Sequence, residues 1–212
     1  MFKLFSRSCV NTHLKSALYT DFDDGGIAIV EMLFRCNYLA LVGGGKNPKY
    51  PPNKVIIWDD LKNKGIVELE FRSEVKNVKL RRDNEDPVKL HTFETIDNEK
   101  GLVALSSSPN HAILAFPGRQ KGHIQIVDLN ASHATTAITS LNEQQQYFNK
   151  RLTHMGKLSC LSVNADGSKC ASASEKGTLI RVFDTSSGKL LNELRRGVDR
   201  AEIYRFLLGQ ST

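Results

Sequence analysis

The run from Leu158 to Leu194 decides the fold. It reads Leu158-Ser159-Cys160-Leu161-Ser162-Val163, Lys169-Cys170-Ala171-Ser172-Ala173-Ser174, Thr178-Leu179-Ile180-Arg181-Val182-Phe183-Asp184 and Lys189-Leu190-Leu191-Asn192-Glu193-Leu194. Each segment is too short for an ordinary helix and is rich in apolar residues. Asn164-Ala165-Asp166-Gly167, Glu175-Lys176-Gly177 and Ser186-Ser187-Gly188 separate them. Such Gly, Asn, Asp and Ser clusters favour turns through their own backbone geometry, so the spacing predicts four short strands joined by tight turns.

The same pattern recurs upstream. Innermost strands are predicted at Val30–Phe34, Leu102–Ser106 and Leu158–Val163, and second strands at Tyr38–Val42, Ala112–Phe116 and Lys169–Ser174. Third strands fall at Lys54–Asp59, Gly122–Asp128 and Thr178–Asp184, and fourth strands at Ile66–Phe71, Thr136–Leu141 and Lys189–Leu194. Each third strand ends in an apolar–Asp pair: Trp58-Asp59, Val127-Asp128, Phe183-Asp184. That is where a Trp-Asp dipeptide stands in propeller blades of about 40–45 residues. Core packing and turn capping account for these pairs. From Ile27 onward no run of ten or more residues has a helical period. The expectation is an all-β chain built as a WD40-like β-propeller.

Composition agrees with a globular protein: 212 residues, 40% hydrophobic and 25% charged, with a net charge of +6. A basic balance favours an anionic partner, either a lipid surface or nucleic acid. Four cysteines (Cys9, Cys36, Cys160, Cys170) lie far apart, and Cys160 and Cys170 fall in strand patterns as small core residues. A reducing setting without structural disulfides follows. The start is not a signal peptide, because Lys3, Ser6, Arg7 and Ser8 break its apolar run.

Enzyme signatures are poor. Gly43-Gly44-Gly45-Lys46 lacks the spacing of a phosphate loop and reads as a turn between strands. The six histidines are scattered without metal-ligand spacing, and there is no nucleophile elbow. No cofactor or metal is implied, and no groove-reading helix or aromatic platform points to nucleic acid.

One cationic feature stands out. Leu194-Arg195-Arg196-Gly197 ends the last predicted strand. Adjacent side chains of an extended segment point to opposite faces, so Arg195 and Arg196 are expected to serve two different pockets. A guanidinium fork suits phosphate oxygens, and Gly197 allows a sharp turn between the pockets. A second candidate is Lys46-Asn47-Pro48-Lys49-Tyr50-Pro51-Pro52-Asn53-Lys54, a basic, proline-rich loop. It reads either as a stiff connector or as a partner-docking loop centred on Lys49, Tyr50, Pro51 and Pro52.

The unit from His154 through Asp184 to the Arg195-Arg196-Gly197 motif resembles the PROPPIN family of phosphoinositide-binding propellers. Val30–Gly45, Pro48–Lys54 and Ile57–Asp60 extend the resemblance, toward the branch containing WD repeat domain phosphoinositide-interacting proteins 3 and 4. It spans roughly residues 22–204 and leaves 1–21 unassigned, so the expected domain is a propeller over 22–212. It implies a lipid pocket of Arg195, His154, Ser174, Lys176, Thr178 and Arg181, and a second one using Arg196. Turn capping by Ser174 and Thr178 and a buried hydrogen bond from His154 are the plainer alternatives.

The resemblance further implies a non-enzymatic autophagy effector that binds phosphatidylinositol 3-phosphate and 3,5-bisphosphate. Such a protein is cytoplasmic and is recruited peripherally to preautophagosomal, phagophore and endolysosomal membranes. There it partners an autophagy lipid-transfer protein. The family has seven blades. Here the stretch from Asp59 to Asp128 is too long for one blade and too short for two, with two implied strands missing between Asp83 and Lys89. The chain stops at Thr212, where the family continues with two more blades. The expectation is an incomplete propeller, about three full blades plus partial ones, truncated and internally deleted. A protein-only WD-repeat scaffold is the alternative.

Overall fold

The computed structural model describes residues 2–3, 21–22, 25–33, 36–81, 92–108, 110–130, 150–153, 156–206 and 208–209. The chain divides into two compact units, Met1–Leu80 and Arg81–Thr212. Every regular element among the described residues is a strand.

In the first unit, β1 (Phe2–Lys3), inside the stretch 1–21 that sequence left unassigned, pairs with β2 (Asp21–Phe22) at that stretch's boundary. Four strands then form one antiparallel sheet in sequence order: β3 (Ile27–Met32), β4 (Tyr38–Gly43), β5 (Lys54–Asp59) and β6 (Lys64–Glu70). Both faces of β4 are covered. Leu39 and Leu41 pack with Ile56, while Ala40 and Val42 pack with Val55 under Leu69, Val75, Val78 and Leu80. This double burial is why Leu39-Ala40-Leu41-Val42 is an unbroken apolar run and not an alternating one.

The second unit holds two four-stranded antiparallel sheets. One has the order β10-β9-β8-β7, formed by β7 (Ala104–Leu105), β8 (Ile113–Pro117), β9 (His123–Asp128) and β10 (Lys150–Thr153). The other runs in order through β11 (Leu158–Val163), β12 (Lys169–Ser174), β13 (Leu179–Asp184) and β14 (Leu190–Arg195). One apolar cluster joins them: Ala104, Ile113, Ala115, Ile124, Ile126 and Leu152 from the first, and Leu158, Cys170 and Phe183 from the second. The expected burial of Cys160 and Cys170 is met at 4% and 0% exposure.

The three Asp residues cap the turns after the third strands, as their pattern predicts. Asp59 accepts from the Asn37 amide and from the backbone N–H groups of Leu61 and Lys62. Asp128 accepts from the Asn130 N–H at 2.9 Å. Asp184 accepts from the Ser186 and Ser187 hydroxyls and the Ser187 N–H, which hold its carboxyl down at about 2.

The fourth strand of the middle blade is a correction. Sequence places it at Thr136–Leu141, but the strand paired with β9 is β10, in the register Lys150↔Ile126, Arg151↔Gln125, Leu152↔Ile124 and Thr153↔His123. Leu152 explains the choice, since it is 1% exposed inside the apolar cluster. Thr136–Leu141 and the Asp83–Asn84 junction lie outside the described residues. Elsewhere strand ends move by one to three residues. β3 opens at Ile27, and β7 shrinks to Ala104–Leu105.

Candidate functional site

The cross-strand register sets the site. Ser172 pairs with Arg181, Arg181 with Glu193, and Leu179 with Arg195. Directly opposed residues share a face, and so do residues two apart along a strand. Ser172, Ser174, Leu179, Arg181, Glu193 and Arg195 therefore stand on one face, the one from which Cys170 and Phe183 pack on the neighbouring sheet. Arg181 reaches across that junction. Its Nε donates to Glu193 Oε2 at 2.7 Å, and its Nη1 donates to the Thr153 carbonyl of β10 at 3.4 Å.

Arg195 is different. It is exposed at the end of β14, and its side chain has no hydrogen-bond or ion-pair partner among the described residues. Across from it, the β12–β13 turn carries Ser174, Lys176 and Thr178. Ser174 is buried, and its carbonyl accepts from Ser159 Oγ and from the Gly177 N–H, both at 2.9 Å. Lys176 is exposed and Thr178 is half-buried. The register thus places Arg195, Arg181 and Ser174 on one face, with Lys176 exposed on the adjoining turn, whereas Thr178 stands opposite Arg196 on the other face. His154 lies outside the described residues.

Arg196 turns the other way. Its N–H continues the ladder to the Thr178 carbonyl at 2.9 Å. Its Nε donates to the Gly177 carbonyl at 2.9 Å and its Nη2 to the Asp199 carbonyl at 2.5 Å. The two arginines do face apart, as alternation predicts.

Gly197 is a correction. Its φ is not in the left-handed region, and a Cβ there would meet nothing within 4 Å. The residue that must be glycine is Gly177, with φ +67° and an added Cβ only 1.7 Å from the Ala201 carbonyl oxygen. Sequence reading missed this role and also the Arg181–Glu193 pair. The Lys176-Gly177-Thr178 run held a signal for the first. The strand register, once set, places Glu193 opposite Arg181.

In the other unit, the candidate loop is held against its own sheet. The Lys49 N–H donates to the Gly26 carbonyl at 3.0 Å, and the Pro52 carbonyl accepts from the Val75 N–H at 2.8 Å. The Tyr50 ring packs beside Leu39, Leu41 and Ile56, and burial pushes its phenol above the ordinary value. Pro51 and Pro52 are exposed.

Chemically, this strand end offers a guanidinium with no side-chain partner among the described residues, an exposed ammonium and the Ser174 hydroxyl. Such a set neutralises and orients phosphate oxygens through charge-assisted hydrogen bonds. No helix among the described residues is long and apolar enough to cross a membrane.

The family model described as PROPPIN matches residues 1–208. The SVP1-like protein 2 of Pichia angusta is 38% identical over 217 residues, covering 95% of this chain and 57% of that protein. Autophagy-related protein 18e of Arabidopsis thaliana is 38% identical over 203 residues, covering 89% of this chain and 50% of its own length. The crystal structure of Kluyveromyces marxianus Hsv2 superposes with a TM-score of 0.60 at 25% identity, over 83% of this chain and 54% of that one. The chain spans about half the length of the curated relatives it matches.

Proposed function

The chain belongs to the PROPPIN family, and on that premise we propose that it is a non-enzymatic phosphoinositide-binding propeller acting as an autophagy effector at membranes. The observation that carries this reading is Arg195. Its side chain stands exposed at the end of β14 with no partner among the described residues, on the same face as Ser174 and next to the β12–β13 turn. In this reading its fork and the Lys176 ammonium take the headgroup phosphates and the Ser174 hydroxyl orients them; the family resemblance adds Thr178 and His154, of which Thr178 stands opposite Arg196 and His154 lies outside the described residues. Phosphatidylinositol 3-phosphate and 3,5-bisphosphate are the headgroups proposed. The protein is then cytoplasmic and recruited peripherally to phagophore, preautophagosomal and endolysosomal membranes. There the exposed Pro51 and Pro52, with Lys49 and Tyr50 behind them, meet an autophagy lipid-transfer protein.

Flotation with vesicles tests the reading. The chain floats with phosphatidylcholine vesicles containing phosphatidylinositol 3-phosphate, and Arg195→Ala abolishes this. General attraction to anionic lipid contributes about 1 kcal/mol per basic residue near the surface, so phosphatidylserine vesicles give the background. Equal flotation on phosphatidylserine alone, unchanged by Arg195→Ala, overturns the proposal.

One observation favours a second reading, a scaffold that binds only proteins. Two of the three arginines at the site are already committed, Arg181 to Glu193 and Arg196 to backbone carbonyls. Lost lipid binding with retained capture of the lipid-transfer partner separates the two.

A further inference from the structure

The face that carries Arg195 also carries an acid. Glu193 stands two residues earlier on β14, on that same face, and directly opposite Arg181. By charge alone it is a poor neighbour for an anion site, because a carboxylate repels an incoming phosphate. Its hydrogen bond gives it another use. Glu193 Oε2 takes the Arg181 Nε–H at 2.7 Å, and Arg181 Nη1 continues to the Thr153 carbonyl at 3.4 Å. The contacts run from β14 through β13 to the end of β10 on the neighbouring sheet, and Thr153 is the residue before His154. The Arg181 side chain is 16% exposed against 39% for Glu193, so the guanidinium is the more buried partner and the one that most needs an acceptor. Its Nη2 makes no hydrogen bond among the described residues.

We infer that Glu193 is a positioning residue for the Arg195 pocket: its carboxylate fixes the Arg181 guanidinium across the junction of the two sheets and leaves Nη2 available to the anion that Arg195 binds. The inference rests on the headgroup reading above and adds to it a residue that touches no phosphate. An arginine side chain is long, and ordering it when a ligand arrives costs affinity; one already held on two sides has less freedom left to lose. The contact through Nε suits this role, since it uses one edge of the planar fork and leaves the far nitrogen unspent. At 2.7 Å the carboxylate and the guanidinium largely cancel each other's field at longer range, so little repulsion toward a phosphate remains. Removing this acid from an anion pocket is therefore expected to weaken anion binding, the reverse of what its charge alone suggests.

The test is titration of the whole chain with the soluble headgroup inositol 1,3-bisphosphate, using Glu193→Ala and Glu193→Gln, with the Arg181 Nε–H resonance of nitrogen-labelled protein followed in parallel. Glu193→Ala should weaken binding roughly tenfold, the scale of one lost charge-assisted hydrogen bond, and should expose the Arg181 Nε–H to rapid exchange with solvent. Glu193→Gln keeps a side-chain oxygen for that N–H, so it should bind within about threefold of the unmodified chain and keep the resonance protected. Tighter binding by either variant shows that Glu193 acts only as a repelling charge, and the inference is then wrong. Unchanged affinity in Glu193→Ala overturns it as well, and so does a loss of affinity with the Arg181 resonance unchanged. If the unmodified chain takes no headgroup, the phosphoinositide reading fails. The resonance then decides alone: its loss in Glu193→Ala keeps the hold on Arg181, and its persistence overturns it.

Discussion

Replacing Leu152 by Ala tests how the middle blade is completed. Leu152 is 1% exposed, its register partner Ile124 is 0% exposed, and both belong to the cluster that joins the two sheets of the second unit. The change deletes the equivalent of three methylene groups, worth about 2.4 kcal/mol in transfer free energy at about 0.8 kcal/mol each. Incomplete collapse of the cavity adds to that, and buried Leu→Ala changes fall in the range of about 2–5 kcal/mol. A loss of about 3 kcal/mol is expected. With a urea dependence of about 2 kcal/mol per molar, the unfolding midpoint drops by about 1.5 M. Amide exchange gives a local readout: the slowest amides of β8, β9 and β13 should exchange about a hundredfold faster. Leu190→Ala is the control, because Leu190 is 49% exposed on β14 and should cost little. A loss below about 1 kcal/mol for Leu152→Ala, or one no larger than the control's, refutes the assignment of β10 as the strand that covers this cluster.

Three further outcomes follow from the same geometry. Gly177→Ala should cost about 2–3 kcal/mol, combining roughly 1–2 kcal/mol for a left-handed Ala with the weakened bond from Ala201, whereas Gly197→Ala should stay within about 0.5 kcal/mol; thermal melts of the two variants check this, and equal losses sink it. The Asp184 carboxyl lies at about 2 in the folded chain against 3.8 for an ordinary Asp, so its contribution is complete above about pH 4 and is lost as pH falls from there through 2. Urea midpoints taken from pH 5 to pH 2 should therefore fall less in Asp184→Asn than in the wild type. Every side chain of β14 is exposed, while β8 and β9 are largely buried, so the amides of β14 should exchange faster than those of β8 and β9; uniformly slow exchange across both sheets contradicts this.

The blades were legible because their signals are local. Apolar runs of about six residues, turn residues between them and an Asp ending every third strand are enough to place β4, β5, β11, β12 and β13 within a residue. The strand that misled is the one whose identity depends on a distant partner. Thr136-Ala137-Ile138-Thr139-Ser140-Leu141 has the better strand composition, and Lys150-Arg151-Leu152-Thr153 has a single apolar residue. What seats the latter is the one contact that composition cannot reveal, Leu152 opposite Ile124. Propensity is a weak guide wherever burial against a neighbouring sheet decides.

The site divides along the same line. Alternation alone predicts that Arg195 and Arg196 part to opposite faces, and they do. It cannot say what each face holds, because that depends on the chain folding back after residue 197. The return of Ala201 onto the β12–β13 turn converts Gly177 from an ordinary turn residue into a steric requirement, and it gives Arg196 two carbonyls to bridge. The Arg195 side chain is left exposed, with no partner among the described residues. An adjacent pair of identical side chains thus meets different surroundings: Arg196 donates to two backbone carbonyls, and Arg195 has no side-chain partner among the described residues. Arg195, exposed and without a side-chain partner among the described residues, keeps hydrogen-bonding capacity that an anion could use, as proposed above.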